Sequence, residues 1–327
     1  MPVQPETSPP GLDLSRLETH LAEHGLARGP LTAEVIQGGM SNLTYLVRDG
    51  DGDHPFVVRR PPLGHVLATA HDMGREYRVM TALRDTGVPV PRTHLLCEDA
   101  EVIGAPFYVM EYVEGGQPPA TREIDAKLTD VLARLHALDP AEIGLAGFGR
   151  PEGFLERQVR RWKRQLDASR SRDVPGIDTL HDRLARAVPK TQRDTIVHGD
   201  FKLGNTLIAG GEVRAVLDWE MSTLGDPLTD LALFLLYAEF AALDGSGAVG
   251  PGGRTPVAEL AERYARGADL DITGLGWYLA LACFKLAVIS EGIHFRYTKG
   301  LTVGQGFADI GANVAPLVAH GLSALED

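Results

Sequence analysis

The sequence predicts an α+β chain in two lobes, a small antiparallel sheet followed by a mostly helical part. Three observations carry this. The first third alternates short apolar runs with glycine and proline turns. From residue 113 onward the apolar residues recur mainly at helical spacing. The length of 327 residues is long for one core and suits two. The division falls between an N-lobe, residues 1–112, and a C-lobe, residues 113–327.

The elements follow in order. Met1 to Ser15 has neither a basic region nor an apolar one behind it, so it reads as a disordered lead-in and not as a secretory signal. Leu14, Leu17 and Leu21 set a helix from Leu12 that Gly25 stops. Strands are expected over Leu31–Gln37 and Leu43–Val47, joined through Gly38, Gly39, Met40, Ser41 and Asn42. Two glycines let backbone N–H groups approach a phosphate without a Cβ in the way, and an ordinary hairpin turn has the same layout. Phe56–Arg59 is the third strand. Asp72–Thr86 is a helix striped by Met73, Tyr77, Met80 and Leu83, with Glu76 beside the stripe. Strands follow at Thr93–Leu96 and Phe107–Tyr112.

Helices are then expected over Ile124–Leu138, Phe154–Ser169 and Thr179–Val188. His136, inside the first, reads as structural. The run from Arg157 to Arg172 is strongly basic and reads first as a solvated helix face. Further on, Asp226-Pro227 starts a Leu-rich helix, with Asp226 as its cap and Pro227 at the first turn. Asp244–Pro256 is a glycine-rich loop with no strand before it. Val257–Gly267, Leu275–Tyr297 and Phe307–Leu322 complete the helices.

The densest chemistry lies in Ile196–Glu220, IVHGDFKLGNTLIAGGEVRAVLDWE. Ile196-Val197 and Thr206–Ile208 read as short strands flanking a loop, with Gly210-Gly211 as the next turn, so that Asp200, Asn205 and Asp218 would share one hairpin-like platform. Phosphoryl transfer from a nucleotide needs a group that takes or orients the acceptor's proton, oxygen ligands for Mg²⁺, and positive charge near the moving group. Asp200 can be the base, Asn205 and Asp218 the metal ligands, and Lys202 the cation. Mg²⁺ usually takes only one or two protein carboxylates beside phosphate oxygens.

His-Gly-Asp with Asn five residues after the Asp, followed by Leu-Asp-Trp-Glu, resembles the catalytic and metal-binding loops of the protein-kinase-like superfamily, in the form of its aminoglycoside phosphotransferase branch. The likeness runs from about Leu31 to the end. It implies a two-lobed protein-kinase-like fold with ATP between the lobes and Mg²⁺ as its metal. Gly38, Gly39, Ser41 and Asn42 are similar to the branch's phosphate loop. Arg59 stands where kinases carry a phosphate-binding lysine, with Arg60 next to it, and Glu76 stands as its partner. Arginine is always charged and can fork onto phosphate. Backbone groups of Glu111 and Val113 would meet adenine at the interlobe hinge. Asp230 of GDPLTDLA would brace the catalytic loop.

The stretch FVVRRPPLGHVLATAHDMGREYRVMTAL is similar to the kinase domain fused ahead of acyl-CoA dehydrogenases. The implied reaction is ATP- and Mg²⁺-dependent phosphorylation of a small-molecule hydroxyl, on a hydroxyacyl-CoA or related acid. Aminoglycoside, choline or homoserine kinases are the alternative, and a nucleotide-binding pseudokinase is the alternative of another class. The net charge of −12 argues against a nucleic-acid partner. No continuous run reaches the roughly 18 apolar residues of a membrane span. Two distant cysteines, Cys97 and Cys283, read as reduced thiols of a cytoplasmic protein.

Overall fold

The computed structural model describes residues 8–36, 42–50, 54–64, 72–240, 249–301, 307 and 309–326. Gly38, Gly39 and Ser41, the expected phosphate loop, lie outside these, as do residues 1–7 of the lead-in and 244–248 of the glycine-rich loop. The chain forms two compact units. The first holds residues 1–116 and 206–220, the second residues 117–205 and 221–327. The first unit thus extends past the division expected at residue 112 and takes back a later segment.

The first unit is built on one antiparallel sheet. Its strands are β1 (Leu31–Val35), β2 (Leu43–Asp49), β3 (Phe56–Arg60), β4 (Thr93–Cys97) and β5 (Phe107–Glu111), in the order β1-β2-β3-β5-β4. Alternation aims Tyr45, Val47, Val58, Phe107 and Val109 at one core. The helix α1 (Leu14–Glu23) closes that core with Leu17 and Leu21, and Asp13 caps it by accepting from the N–H of Arg16. On α2 (Met73–Leu83) Asp72 caps in the same way, and Met73, Val79, Met80 and Leu83 are buried. One turn, α3 (Ala100–Ile103), joins β4 to β5.

The late segment of this unit is a hairpin, β7 (Thr206–Ala209) and β8 (Glu212–Val216). Gly210 and Gly211, both at positive φ, make its turn as expected. Gly116 forms a bridge with Ile208. A Cβ on Gly115 would sit 2.9 Å from the Cβ of Leu207, so only glycine allows that approach. The N–H of Val216 donates to the carbonyl of Pro89, a second tie.

The second unit is helical: α4 (Arg122–His136), α5 (Phe154–Ser169), α6 (Ile177–Arg186), α7 (Leu228–Glu239), α8 (Val257–Ala268), α9 (Leu275–Thr298) and α10 (Val314–Ser323). The stretch expected as one last helix from Phe307 is a 3-10 turn, Ile310–Asn313, and then α10. Its small ladder pairs β6 (Thr195–Val197) with β9 (Thr223–Gly225). The single platform expected from sequence is therefore corrected. β6 pairs with β9 and β7 with β8, because the apolar Thr223–Gly225 offers β6 a partner that no turn chemistry announces.

The core of this unit is set by α9, which is apolar on all sides. Its mean hydropathy of 1.4 over an 18-residue window and its length would suit a membrane span, but 67% of that window is buried, as in a core helix. The basic run on α5 is divided. Lys163 pairs with Asp167, Arg170 with Asp178, and Arg172 with the buried Glu291, while Arg160 and Arg164 are exposed. The described end of the glycine-rich loop is anchored: Val249 bridges Ala120, and Arg254 pairs with the buried Asp125 at 2.8 Å.

Candidate active site

Asp200 follows β6 in the second unit, and the turn before it decides where it points. Gly199 has φ +87°, and a Cβ there would stand 2.8 Å from both the Cβ and the carbonyl oxygen of Met221. Only glycine fits. Asp230, on the first turn of α7, is fully buried and takes two backbone donors, His198 N–H at 2.6 Å and Gly199 N–H at 2.8 Å. This is the bracing role expected for it. Burial opposes its charge, but the hydrogen bond from His136, the nearby histidines and the Gly199 N–H hold its carboxyl below the usual range. His136 itself is buried between Asp230, at 3.4 Å, and the Tyr264 hydroxyl, at 2.6 Å, a structural place as expected. Asp226 accepts from the N–H of Leu228 and from the Tyr278 hydroxyl, so it ties the start of α7 to α9, while the cap position expected for it falls to Pro227.

The Asp200 carboxylate is surrounded by donors. The Tyr237 hydroxyl, from α7, reaches Oδ1 at 2.7 Å. Asn205 Nδ2 and Lys202 Nζ reach Oδ2 at 2.9 Å and 3.1 Å. Lys202 also lies 4.9 Å above the Tyr237 ring. The Asp200 N–H points to Nδ1 of His198, which therefore acts as acceptor at 3.2 Å. Asn205 uses its amide nitrogen on Asp200, which leaves its side-chain oxygen, a hard donor, as the atom able to take a metal.

The first unit carries a second cluster around Arg59. Its guanidinium is 3.1 Å from Glu76 and 2.7 Å from Asp218. Glu76 is 1% exposed and accepts from the Tyr108 hydroxyl at 2.9 Å and from Asn42 Nδ2 at 3.1 Å. Burial pushes its carboxyl up to about 7, against the pull of Arg59 and Tyr108. Burial also works against the charge of Arg59, but Tyr108, Glu76 and Asp218 more than offset it and leave its pKa raised. Tyr108 is itself raised by burial and by Glu76. The neighbouring Arg60 serves the backbone, with bonds to the carbonyls of Gly11 and Ile103, so Arg59 is the arginine at the site.

Asp218 has φ +65°, a left-handed conformation shared by one other non-glycine residue, Asp269, among those described. Aspartate adopts this conformation more readily than most side chains. Two expectations change in detail. Asn42, read as a phosphate contact, is 4% exposed and gives its amide to the buried Glu76 and the half-buried Glu220, since a buried carboxylate needs donors. Glu111 spends its N–H on the carbonyl of Arg92, so of its backbone groups only the carbonyl can serve a ligand. Val113 follows in half-buried extended chain.

Sequence reasoning missed Tyr237, Tyr108 and Lys285. Lys285 donates to the carbonyl of Gly199 at 2.6 Å. Its signal was present, as the one charged residue in the apolar stretch from Leu275 to Ile289. Tyr237 and Tyr108 had none, since tyrosines in apolar runs are usually core. Among the described residues no cluster of three or more His, Cys, Asp or Glu is set to hold a metal. Of the two residues expected as metal ligands, Asn205 belongs to the second unit and Asp218 to the first.

Residues 32–278 match the model of the phosphotransferase enzyme family. The chain is 37% identical over 315 residues to acyl-CoA dehydrogenase family member 11 of Gallus gallus, covering 90% of this chain and 40% of the relative. It thus spans well under half the length of that relative. A solved candidate aminoglycoside phosphotransferase from Ralstonia eutropha JMP134 is 32% identical, with a TM-score of 0.84 over 96% of this chain and 98% of the other. An amicoumacin kinase solved with AMP-PNP and Ca²⁺ shares the fold at a TM-score of 0.61 and 14% identity, over 94% of both chains. With its kinase-like fold and its match over residues 32–278, the chain belongs to the phosphotransferase enzyme family.

Proposed function

We infer that this phosphotransferase moves the γ-phosphoryl group of ATP to the hydroxyl of a small molecule, with Asp200 as the base. One observation carries the reading: a carboxylate held by Tyr237, Asn205 and Lys202, on a loop whose backbone is clamped by the buried Asp230. A group that only capped a turn would not need three side-chain donors. Asp200 would orient the acceptor hydroxyl through the carboxylate oxygen that also meets Lys202, and take its proton as the phosphorus–oxygen bond forms. Lys202 would follow the charge that passes to the transferred group. Arg59, fixed by Glu76, would hold the nucleotide's phosphates, and the carbonyl of Glu111 and the backbone of Val113 would meet its base. Asp218 and the side-chain oxygen of Asn205 would hold Mg²⁺, which when bound neutralises phosphate charge.

For the acceptor we favour a hydroxylated acid or its CoA ester. The relatives named acyl-CoA dehydrogenase family member 11 support this, as does the exposed basic face of α5 with Arg160, Arg161 and Arg164. The test is ³¹P NMR of Mg²⁺-ATP with a panel of hydroxyacyl-CoA esters, hydroxy acids and aminoglycosides, on wild type and Asp200→Asn. The variant should bind ATP normally and transfer about 10²–10⁴-fold more slowly. Full transfer by Asp200→Asn would remove Asp200 from the reaction, and no transfer to any hydroxylated acid or ester would remove the acceptor class.

A further inference from the structure

Lys285 is costly where it stands. It lies on α9 between the buried Phe284 and Leu286 and is itself half-buried. An ammonium taken out of water needs compensation, and among the described residues no carboxylate lies within ion-pair distance of it. Its hydrogen bond is the one to the Gly199 carbonyl, at 2.6 Å. Its other neighbour is the face of the buried Trp162 on α5, 5.6 Å away. A position that would suit leucine carries a lysine whose amine is spent on one peptide group.

That peptide joins Gly199 to Asp200. Asp230 already holds the N–H groups of His198 and Gly199. Lys285 holds the carbonyl at the other end of the same residue, from a different helix. With φ at +87° Gly199 has no side chain to resist rotation, and the plane of its peptide fixes the direction in which the Asp200 side chain leaves the backbone. We propose that Lys285 is a positioning residue, which sets the Gly199–Asp200 peptide so that the Asp200 carboxylate faces its reaction partner. Burial lowers the pKa of Lys285, whereas Asp200 and Asp230 favour its charge. The amine donates to the carbonyl in either protonation state, so the role does not depend on a particular pH.

This role separates from a purely structural one by where the loosening is felt. Lys285→Met removes the amine's desolvation cost but leaves the Gly199 carbonyl without that donor, so the two effects oppose each other in Tm and the local exchange decides. The same change frees the peptide. Hydrogen–deuterium exchange on the full chain should show faster exchange over residues 198–202, with the sheet of the first unit unchanged. Mg²⁺-dependent ATP turnover, with water or any acceptor that supports it, should fall in kcat by about 10- to 10²-fold, the range expected for a misplaced reacting group, with KM for ATP unchanged. Lys285→Arg retains a donor and should retain most of the protection.

Faster exchange spread along α9 and its neighbours, and not centred on 198–202, would make Lys285 a packing residue and overturn the proposal. So would unchanged exchange over 198–202 in a folded Lys285→Met. The activity arm rests on Asp200 as the base, and Asp200→Asn is its control. If wild type and Asp200→Asn turn ATP over alike, that reading of Asp200 fails, while the exchange data still decide the role of Lys285.

Discussion

Glu76 and Arg59 exemplify how single side chains set the chemistry of the first unit. A carboxyl at 1% exposure would ordinarily take a proton, yet it faces a guanidinium, a tyrosine hydroxyl and an amide. Its pKa is raised from 4.5 to about 7, so between these values the folded state binds more protons than the unfolded state. Stability therefore declines as pH rises from about 4.5 to about 7 and levels off above. Glu76→Gln should flatten that slope in a series of thermal melts. An identical slope in the variant would assign the pH dependence to other groups. Asp218 poses a different question, since Arg59 already sits on one of its oxygens at 2.7 Å. Asp218→Asn should weaken the Mg²⁺-dependent part of nucleotide binding and spare the rest, as calorimetry with and without Mg²⁺ would read. Equal Mg²⁺ dependence in both proteins would shift the ligand role to another acid, with Glu220 the nearest in sequence.

At the level of elements, the loop from His198 to Asn205 is shaped by helices distant in sequence. Asp230 of α7 and Lys285 of α9 hold its backbone, and Tyr237 of α7 holds its carboxylate. Asp230→Ala would leave two buried N–H groups without an acceptor, at about 1–3 kcal/mol each. Urea unfolding should show a loss of at least about 2 kcal/mol on that basis, and a loss near zero would mean that the loop relaxes freely. Gly199→Ala tests the other side of the same turn. The left-handed conformation alone costs a non-glycine residue about 1–2 kcal/mol, and the Met221 backbone lies where the Cβ would be. The expected result is a protein less stable than wild type by more than that strain.

The whole chain carries a net charge of −12, while α5 is locally basic. The structure narrows which of its cations are available. Lys163 and Arg170 face acids at 2.5 Å and 2.8 Å, so Arg160, Arg161 and Arg164 are the ones that can meet an anion. Their joint replacement by alanine should raise KM for a hydroxyacyl-CoA at low salt and leave KM for ATP alone. Raising the salt should shrink the difference, since exposed charges are screened over about 8 Å at physiological ionic strength. A KM that is the same in both proteins at every salt would return this face to plain solvation.

Much of this was legible in the chain itself. Short apolar runs between turns announced all five strands of the sheet, the 3.6-residue period announced α4, because burial on one face leaves a period in the sequence, and α9 was legible from its long apolar run. Asp200, Asn205, Asp218 and Lys202 stood out as candidates because phosphoryl transfer would need those residue types within one short stretch. Arg59 and Glu76 were expected as a pair from the resemblance to kinases, and they meet at 3.1 Å. What no local pattern could reveal was which distant side chains complete the site. Tyr237 and Tyr108 look like core residues in their own helix and strand, Lys285 stands out by its charge but not by its target, and only the packing of those elements turns their polar atoms toward Asp200, Glu76 and Gly199. The pairing of β6 with β9 was hidden for the same reason. A three-residue strand has too few side chains to encode its partner, so tertiary packing decides it.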